Sequence, residues 1–295
     1  MASAVRRSLQ HQHAQASRLW PLIASKQVAR KPISTVSATM QDQQPVITTE
    51  EKTIEAEPID IPTPNDRTKL LVLGGNGYVG SHVCKEALER GLPVLSVNRS
   101  GKPSVEEPWV KEVDWIRASV FDTEQWKDHL KEVTAVISCI GGFGSNSQML
   151  KINGDANICA INASAEAGVE RFVFISAADF NLPFVLKGYY EGKKAAEEAL
   201  RAKFPYGGVI LRPGFIHGTR RVGNISIPLS AVGAPLEMLF RNIKPASQLP
   251  VIGPLLIPPV KATAVAKAAV RAAVDNAVPP GVLDVWGIIR LGDHK

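Results

Sequence analysis

The chain has 295 residues, of which 45% are hydrophobic and 6% aromatic, and it carries a formal net charge of +6. This size and composition fit one globular α/β domain with an extension. Residues 1–41 contain six Arg and Lys residues and no acid, so they account for the whole net charge. Because residues 42–295 carry no net charge, the basic composition does not indicate nucleic-acid binding.

Residues 1–41 have the composition of an organelle transit peptide, with scattered Arg and Ser and no acid. Their apolar run, LWPLIA, is short and contains a proline, so it fits neither a secretory signal nor a membrane span. We predict import into the mitochondrion, to the matrix or the matrix side of the inner membrane. A plastid address and a plain basic tail stay open as alternatives.

Residues 42–67 contain seven acids and four prolines and lack a sustained apolar period, which predicts a solvated linker without chemistry. The three cysteines, Cys84, Cys139 and Cys159, and the six histidines have no metal-ligand spacing. We therefore predict no metal site.

Short apolar runs alternate with helical patterns from residue 69 onward. Apolar strands separated by helices indicate a parallel sheet covered on both faces. The predicted strands include KLLVLGG, PVLSVNR, TAVISCIGG, RFVFISA and GGVILRPG. We predict an α/β fold: a doubly wound Rossmann domain over residues 68–218, and a small substrate subdomain with a closing helix and strand over residues 219–295. The ligand should lie at the carboxyl ends of the strands, near the switch point.

A glycine-rich turn joins the first strand to the first helix in the sequence GGNGYVG. Gly74 permits the tight turn, Gly77 lets a pyrophosphate approach the backbone, and Gly80 lets the helix pack closely on the strand. The first N–H groups of the helix then face the phosphates. The predicted cofactor residues of this turn are Gly74, Gly75, Gly77, Tyr78, Val79 and Gly80.

The end of the second strand indicates which dinucleotide binds. Asn98, Arg99 and Ser100 stand where an acidic residue would hold the ribose hydroxyls of NAD. No carboxylate repels a 2′-phosphate there, and Arg99 is able to bind one through two hydrogen bonds. We therefore predict NADP(H) in preference to NAD(H), with a solvated arginine as the alternative.

The motifs GGNGYVGSH, SVNRSG, VISCIGG, AGVERFVFISA, YYEGKKAAEEAL and LRPGFIHG occur in this order from residue 69 to the C-terminus. In this respect the chain resembles the extended and atypical short-chain dehydrogenase/reductase family. Within it, the chain looks most like the branch with the NADPH-binding accessory subunit of mitochondrial complex I and proteins associated with coenzyme Q biosynthesis. The resemblance implies further cofactor contacts at Ser119, Val120, Cys139, Ile140, Gly141, Lys193, Pro213 and Gly214. It also places the helix asparagine of the family at Asn153.

The resemblance implies catalytic roles for Tyr189, Lys193 and Ser176. Tyr189 and Lys193 are one helical turn apart, so the ammonium should lower the pKa of the phenol and make Tyr189 a general acid. Tyr190 and Lys194 have the same spacing. Ala177 departs from the family pattern, which has Ser or Thr there, and Ser176 is the substitute. A structural or cofactor-contact role for Tyr189 therefore stays open.

Residues 220–259 are rich in Ile, Leu and Pro and include four basic residues, which suits an apolar substrate, a protein partner or a membrane surface. His217 is expected to form part of the wall of the substrate pocket. Two functions follow. The first is an NADPH-dependent reductase acting on a quinone-type or prenylated intermediate of ubiquinone biosynthesis. The second is a non-catalytic NADPH-binding accessory or assembly protein of a quinone-biosynthesis or respiratory complex.

Overall fold

The computed structural model describes residues 68–103, 106–179, 186–222, 225–228 and 257–293. The predicted transit peptide and linker lie outside these ranges, as do residues 229–256 of the predicted substrate subdomain.

Within the described residues, seven strands form one sheet in which every neighbouring pair is parallel. The strands are β1 (Leu70–Leu73), β2 (Val94–Asn98), β3 (Val113–Arg117), β4 (Ala135–Ser138), β5 (Arg171–Ile175), β6 (Gly208–Leu211) and β7 (Gly281–Leu283). Their spatial order is β7-β6-β5-β4-β1-β2-β3. The chain thus runs outward from β1 in one direction and then from β4 in the other, which confirms the predicted doubly wound α/β fold.

Helices cover both faces of the sheet. They are α1 (Tyr78–Glu89), α2 (Asn146–Leu150), α3 (Ala156–Glu166), α4 (Lys187–Lys203), α5 (Ala262–Val274) and α6 (Val285–Asp293). Leu70 and Val72 of β1 pack with α1, α5 and α6, whereas Leu71 and Leu73 pack with α3 and α4. Since successive strand residues point to opposite faces, β1 needs an unbroken apolar sequence.

Between α2 and α3 the helix widens into a π-helical turn, Lys151–Asp155. Three 3₁₀ turns, Pro108–Lys111, Thr123–Gln125 and Lys127–Glu132, fill the connections on either side of β3. Single π-helical turns such as Lys151–Asp155 interrupt helices and are frequent at functional sites.

The C-terminal residues complete the sheet. Strand Val260–Lys261 pairs with Ile216–His217, α5 then packs on the sheet beside α1, and β7 extends the sheet next to β6. The side chain of Arg171 ties this part to β5 by donating to the carbonyls of Ala272 and Val278, at 2.9 Å each. The strands Thr219–Val222 and Ile225–Pro228 form a separate antiparallel pair.

In the part of the chain that the structure describes, every helix is too short or too polar to cross a bilayer. The same residues contain no group of three potential metal ligands.

Candidate functional site

A cavity of about 570 Å³ lies at the carboxyl ends of β1, β2, β3 and β4. This is the point where the strand order reverses, and doubly wound folds bind their ligands there. Ten predicted cofactor residues line the cavity: Gly74, Gly77, Asn98, Arg99, Ser100, Ser119, Val120, Cys139, Ile140 and Gly141.

Six further lining residues were missed by the sequence analysis: Asn76, Val97, Ala118, Phe121, Ile152 and Ala156. Asn76, Ala118 and Phe121 belong to connections in which neighbouring residues were predicted. Applying the switch-point rule to each whole connection would have found them. Conversely, seven predicted cofactor residues do not line this cavity: Gly75, Tyr78, Val79, Gly80, Lys193, Pro213 and Gly214.

Gly74 makes the turn between β1 and α1. Its φ of +84° lies in the left-handed region, which favours glycine. The Gly77 N–H donates to the Gly74 carbonyl oxygen at 2.9 Å. A Cβ at Gly80 would overlap this carbonyl, so the close start of α1 requires glycine there. No side chain caps α1, which leaves its first N–H groups available to an anion.

Gly75 and Tyr78 support this turn from behind. The Gly75 N–H donates to Ser96 Oγ at 3.2 Å, and a Cβ at Gly75 would overlap this hydroxyl. The Tyr78 ring packs on His82 with the ring centres 5.5 Å apart. Val79, in the first turn of α1, packs against the core. These residues therefore shape the turn, and the backbone N–H groups at the start of α1 are the candidates for phosphate contact.

The opposite end of the cavity is basic. Asn76 Nδ2 donates to Ser100 Oγ at 2.7 Å, and this hydroxyl donates to Asn98 Oδ1 at 3.3 Å, so the two connections are joined. Arg99 is exposed and, among the described residues, forms no ion pair. Of the described residues that line the cavity, Arg99 alone is charged.

The residues present fit a dinucleotide. N–H groups at the start of α1 suit the pyrophosphate, and Arg99 suits a further phosphate beyond β2. Between them, Val97, Ala118 and Val120 give an apolar wall for an adenine ring.

Three side chains hold the segment that follows β4. Lys193 Nζ donates to the Ile140 carbonyl at 3.1 Å, and Asn157 Nδ2 donates to the same oxygen at 3.4 Å. Asn153, in the π-helical turn, contacts Gly142 twice. Its Oδ1 accepts from the Gly142 N–H at 3.2 Å, and its Nδ2 donates to the Gly142 carbonyl at 2.8 Å. The cavity wall at this segment is therefore fixed before any ligand binds.

Lys193 is 4% exposed, and its Nζ also donates to the Ile175 carbonyl at 2.7 Å. Burial lowers the pKa of Lys193 to about 7, although the nearby Cys139 and Glu197 act in the opposite direction. In its protonated form Lys193 has three N–H donors, so two carbonyls leave one donor for a further acceptor such as a ribose hydroxyl, whereas the neutral amine has only the two that the carbonyls accept.

Tyr189 does not have the predicted low pKa. Burial raises the pKa of Tyr189 to about 12, and the neighbouring Tyr190 adds to the rise. The reason is that Lys193 Nζ lies 5.9 Å from the centre of the Tyr189 ring and is directed at two backbone carbonyls. Tyr189 thus keeps its proton across the neutral pH range. In the second Tyr-x-x-x-Lys copy, Lys194 instead pairs with Asp179 at 2.7 Å.

Ser176 lies at the end of β5, where its Oγ donates to Glu197 Oε1 at 2.6 Å. Glu197 is buried and also accepts from Arg212 Nε at 2.9 Å and from Arg201 at 3.0 Å. This network joins β5, α4 and the end of β6. It engages the hydroxyl that the sequence analysis assigned to catalysis, and that assignment stays a prediction.

Pro213 and Gly214 follow β6 next to this network. The Pro213 carbonyl accepts from the Ala178 N–H at 2.8 Å, which joins the ends of β5 and β6. A Cβ at Gly214 would lie 2.7 Å from the Pro258 carbonyl oxygen, so the C-terminal segment packs directly on it. His217 is buried in the short strand that follows.

Comparison with known proteins agrees with this geometry. A family model described as NAD(P)H-binding matches residues 74–232, more than half of the chain. The enzyme WbmH of Bordetella bronchiseptica, solved in complex with NAD+, superimposes with a TM-score of 0.52 at 19% identity, covering 74% of each chain. At that identity the likeness supports the fold alone.

Three relatives match most of the described region. A chloroplastic protein of Arabidopsis thaliana is 45% identical over 244 residues, which cover 81% of this chain and 80% of the relative. MIOREX complex component 2 of Saccharomyces cerevisiae is 27% identical, with 75% and 99% covered. The mitochondrial protein fmp-52 of Neurospora crassa is 28% identical, with 77% and 96% covered. The chain therefore belongs to the NAD(P)H-binding family of Rossmann-fold proteins related to the short-chain dehydrogenases/reductases.

Proposed function

We propose that the chain binds NADP(H) in preference to NAD(H). The observation that carries this proposal is Arg99, which is exposed, lines the cavity and has no carboxylate beside it among the described lining residues. A charge-assisted contact with a 2′-phosphate contributes about 1.5–3 kcal/mol, which corresponds to about 10- to 100-fold in affinity.

The test is a fluorescence titration of the purified protein with NADPH and with NADH. Arg99→Ala should weaken NADPH binding by that factor and leave NADH binding nearly unchanged. Lys102→Ala is the matched control, because Lys102 is an exposed cation three residues further on that does not line the cavity. Equal losses for both nucleotides in Arg99→Ala would contradict the preference for NADP(H).

For the reaction, we propose reduction of a quinone-type or prenylated intermediate. When bound, NADPH supplies a hydride, which carries two electrons to the substrate carbonyl. Tyr189 would give its hydroxyl proton to the reduced oxygen and recover one from solvent, although burial raises the pKa of Tyr189 and so makes it a weaker acid than the sequence predicts. Lys193 would position the loop after β4 and, in its protonated form, offer its third N–H to the ribose.

A second candidate is a non-catalytic accessory or assembly protein that keeps NADPH as a structural ligand. It is favoured by the Ser176 hydroxyl donating to Glu197 and by Ala177 where the family has Ser or Thr. The relation to a component of the MIOREX complex also favours a place in a protein assembly. Quinone-dependent oxidation of NADPH that is lost in Tyr189→Phe would support the enzyme. The absence of turnover in protein that binds NADPH tightly would support the accessory role.

We further propose that the protein acts in mitochondria in support of ubiquinone biosynthesis, as part of a protein complex or at the inner-membrane surface. The acid-free residues 1–41 and the mitochondrial fmp-52 relative support this location. The chloroplastic Arabidopsis relative supports the plastid as the alternative. Residues 1–41 fused to a fluorescent reporter would distinguish the two organelles. Normal ubiquinone content in cells that lack the protein would contradict the ubiquinone role.

A further inference from the structure

Phe143 lies two residues beyond Gly141, the last residue of the post-β4 segment that lines the cavity. Its side chain is 72% exposed. It does not stand alone, because its ring stacks on Tyr189 with the ring centres 5.2 Å apart and the planes tilted by 14°. Tyr190 packs edge-on against Tyr189, with the ring centres 5.3 Å apart. We call Phe143, Tyr189 and Tyr190 the aromatic platform.

Close helix packing fixes the tyrosine half of the platform. A Cβ at Gly188 would overlap the Asn146 carbonyl, and a Cβ at Gly192 would lie 2.7 Å from the Gly154 nitrogen. These glycines let α4 approach α2 and the π-helical turn closely enough for Tyr189 to meet Phe143. The entry to α4 is also constrained, since Leu186 has a φ of +62° and its carbonyl accepts from the N–H groups of both tyrosines. Non-glycine residues with a positive φ of this kind are uncommon, and they concentrate at functional sites.

The Phe143 half is built differently. Phe143 stands between Gly142 and Gly144. Neither neighbour has a side chain to hold the phenyl ring, so one face of the ring stacks on Tyr189 and the rest faces solvent. A large apolar ring left exposed beside a ligand cavity offers stacking area to a planar ligand.

The charges around the platform are paired. Lys194 pairs with Asp179 at 2.7 Å, and Lys187 lies 3.7 Å from Glu191. Lys193 is directed at the Ile140 and Ile175 carbonyls. No unpaired exposed cation lies among these described neighbours to attract an anion, so the contact that the platform offers is stacking with a planar ring.

We propose that the aromatic platform binds an uncharged planar ring of the substrate, with Phe143 as the residue that stacks on it. This inference rests on the reductase function proposed above and names its substrate class. Phe143 is then a substrate-binding residue. The cofactor binds in the adjoining cavity and does not contact Phe143.

The test uses full-length protein saturated with NADP+, so that no turnover occurs, titrated calorimetrically with duroquinone. This quinone is planar, uncharged and fully substituted. Phe143→Ala should weaken duroquinone binding about tenfold, the scale expected for a lost aromatic pair, and Phe143→Trp should retain it. Cyclohexanone, a saturated puckered ring with a carbonyl, should bind the parent and Phe143→Ala equally weakly.

Tyr206→Ala is the matched control, because Tyr206 is 89% exposed on the turn between α4 and β6 and should behave like the parent. Thermal unfolding checks that Phe143→Ala folds. The proposal is overturned if Phe143→Ala binds duroquinone as the parent does, or if the parent with NADP+ bound does not bind duroquinone. It is also overturned if Phe143→Ala loses affinity for NADP+ itself, since the platform would then hold the nicotinamide. Failure of the parent to bind any nicotinamide nucleotide would instead refute the proposed function.

Discussion

Burying Lys193 should make the folding stability of this protein depend on pH in the mildly alkaline range. The folded-state pKa of Lys193 is lowered to about 7 by burial, whereas an exposed lysine titrates near 10.4. Between these values the unfolded chain binds a proton that the folded chain does not. Stability therefore increases as pH rises through this window, at up to about 1.4 kcal/mol per pH unit. Below pH 7 the cost of burying the ammonium is fully present.

Lys193→Met removes this titration. Between pH 7.5 and 9.5, the free energy of unfolding of the parent should rise by about 2.5 kcal/mol relative to that of Lys193→Met. Urea unfolding of both proteins without nucleotide, at several pH values, measures this difference. Lys194→Met is the control, because Lys194 is largely exposed and paired with Asp179, and its curve should run parallel to the parent. If Lys193→Met also runs parallel to the parent, Lys193 is charged in the folded protein and the reasoning is refuted.

Three further changes test other parts of the site. Gly80→Ala places a Cβ on the Gly74 carbonyl, so α1 must move away from the turn. The affinity for NADPH, measured by fluorescence, should fall by more than about tenfold. Unchanged affinity would contradict the phosphate-binding role of the turn. Asn153→Asp keeps the acceptor for the Gly142 N–H but loses the donors to the carbonyls of Gly142 and Met149. The cavity wall after β4 should then be held less firmly, and NADPH should bind about tenfold more weakly in the same titration. Glu197→Gln should lower the unfolding free energy at pH 7 by about 1–2 kcal/mol, a value reduced by the solvent exposure of both arginine partners. Burial raises the pKa of Glu197, but hydrogen bonds from Arg212 and Ser176 outweigh this and lower it. The stabilisation from Glu197 is therefore present above about pH 4.5 and lost in stronger acid. Urea unfolding should find that Glu197→Gln and the parent differ less in unfolding free energy near pH 4 than at pH 7. An equal difference at both pH values would count against the ion-pair account.

The fold follows from local sequence signals. An apolar strand, a glycine turn and a helical period recur along the chain, and each signal reaches only a few residues. Gly74 and Gly80 were predictable for this reason, since the turn geometry permits little else at these positions. Arg99 was predictable because it directly follows β2 at the edge where ligands bind.

The chemistry of the predicted catalytic pair was not predictable in the same way. The spacing of Tyr189 and Lys193 gives a shared helix face but not the direction of the lysine side chain. That direction depends on the Ile140 and Ile175 carbonyls, which lie 53 and 18 residues away in the sequence. Likewise, the Ser176 hydroxyl is engaged by Glu197 on a helix 21 residues further on. Such distant contacts decide pKa values and hydrogen bonding, and they are absent from short motifs.

The pairing of α1 with α5 has a consequence for inheritance. Every described residue that lines the cofactor cavity precedes residue 157, yet the helix that begins at the phosphate turn is buried against a helix encoded more than a hundred codons later. A nonsense mutation at codon 257 would leave each described cavity residue intact but strip the apolar cover from α1 and remove β7 from the sheet. Such an allele should behave as a complete loss of function, and reading it as a mild truncation of the protein's tail would be a mistake.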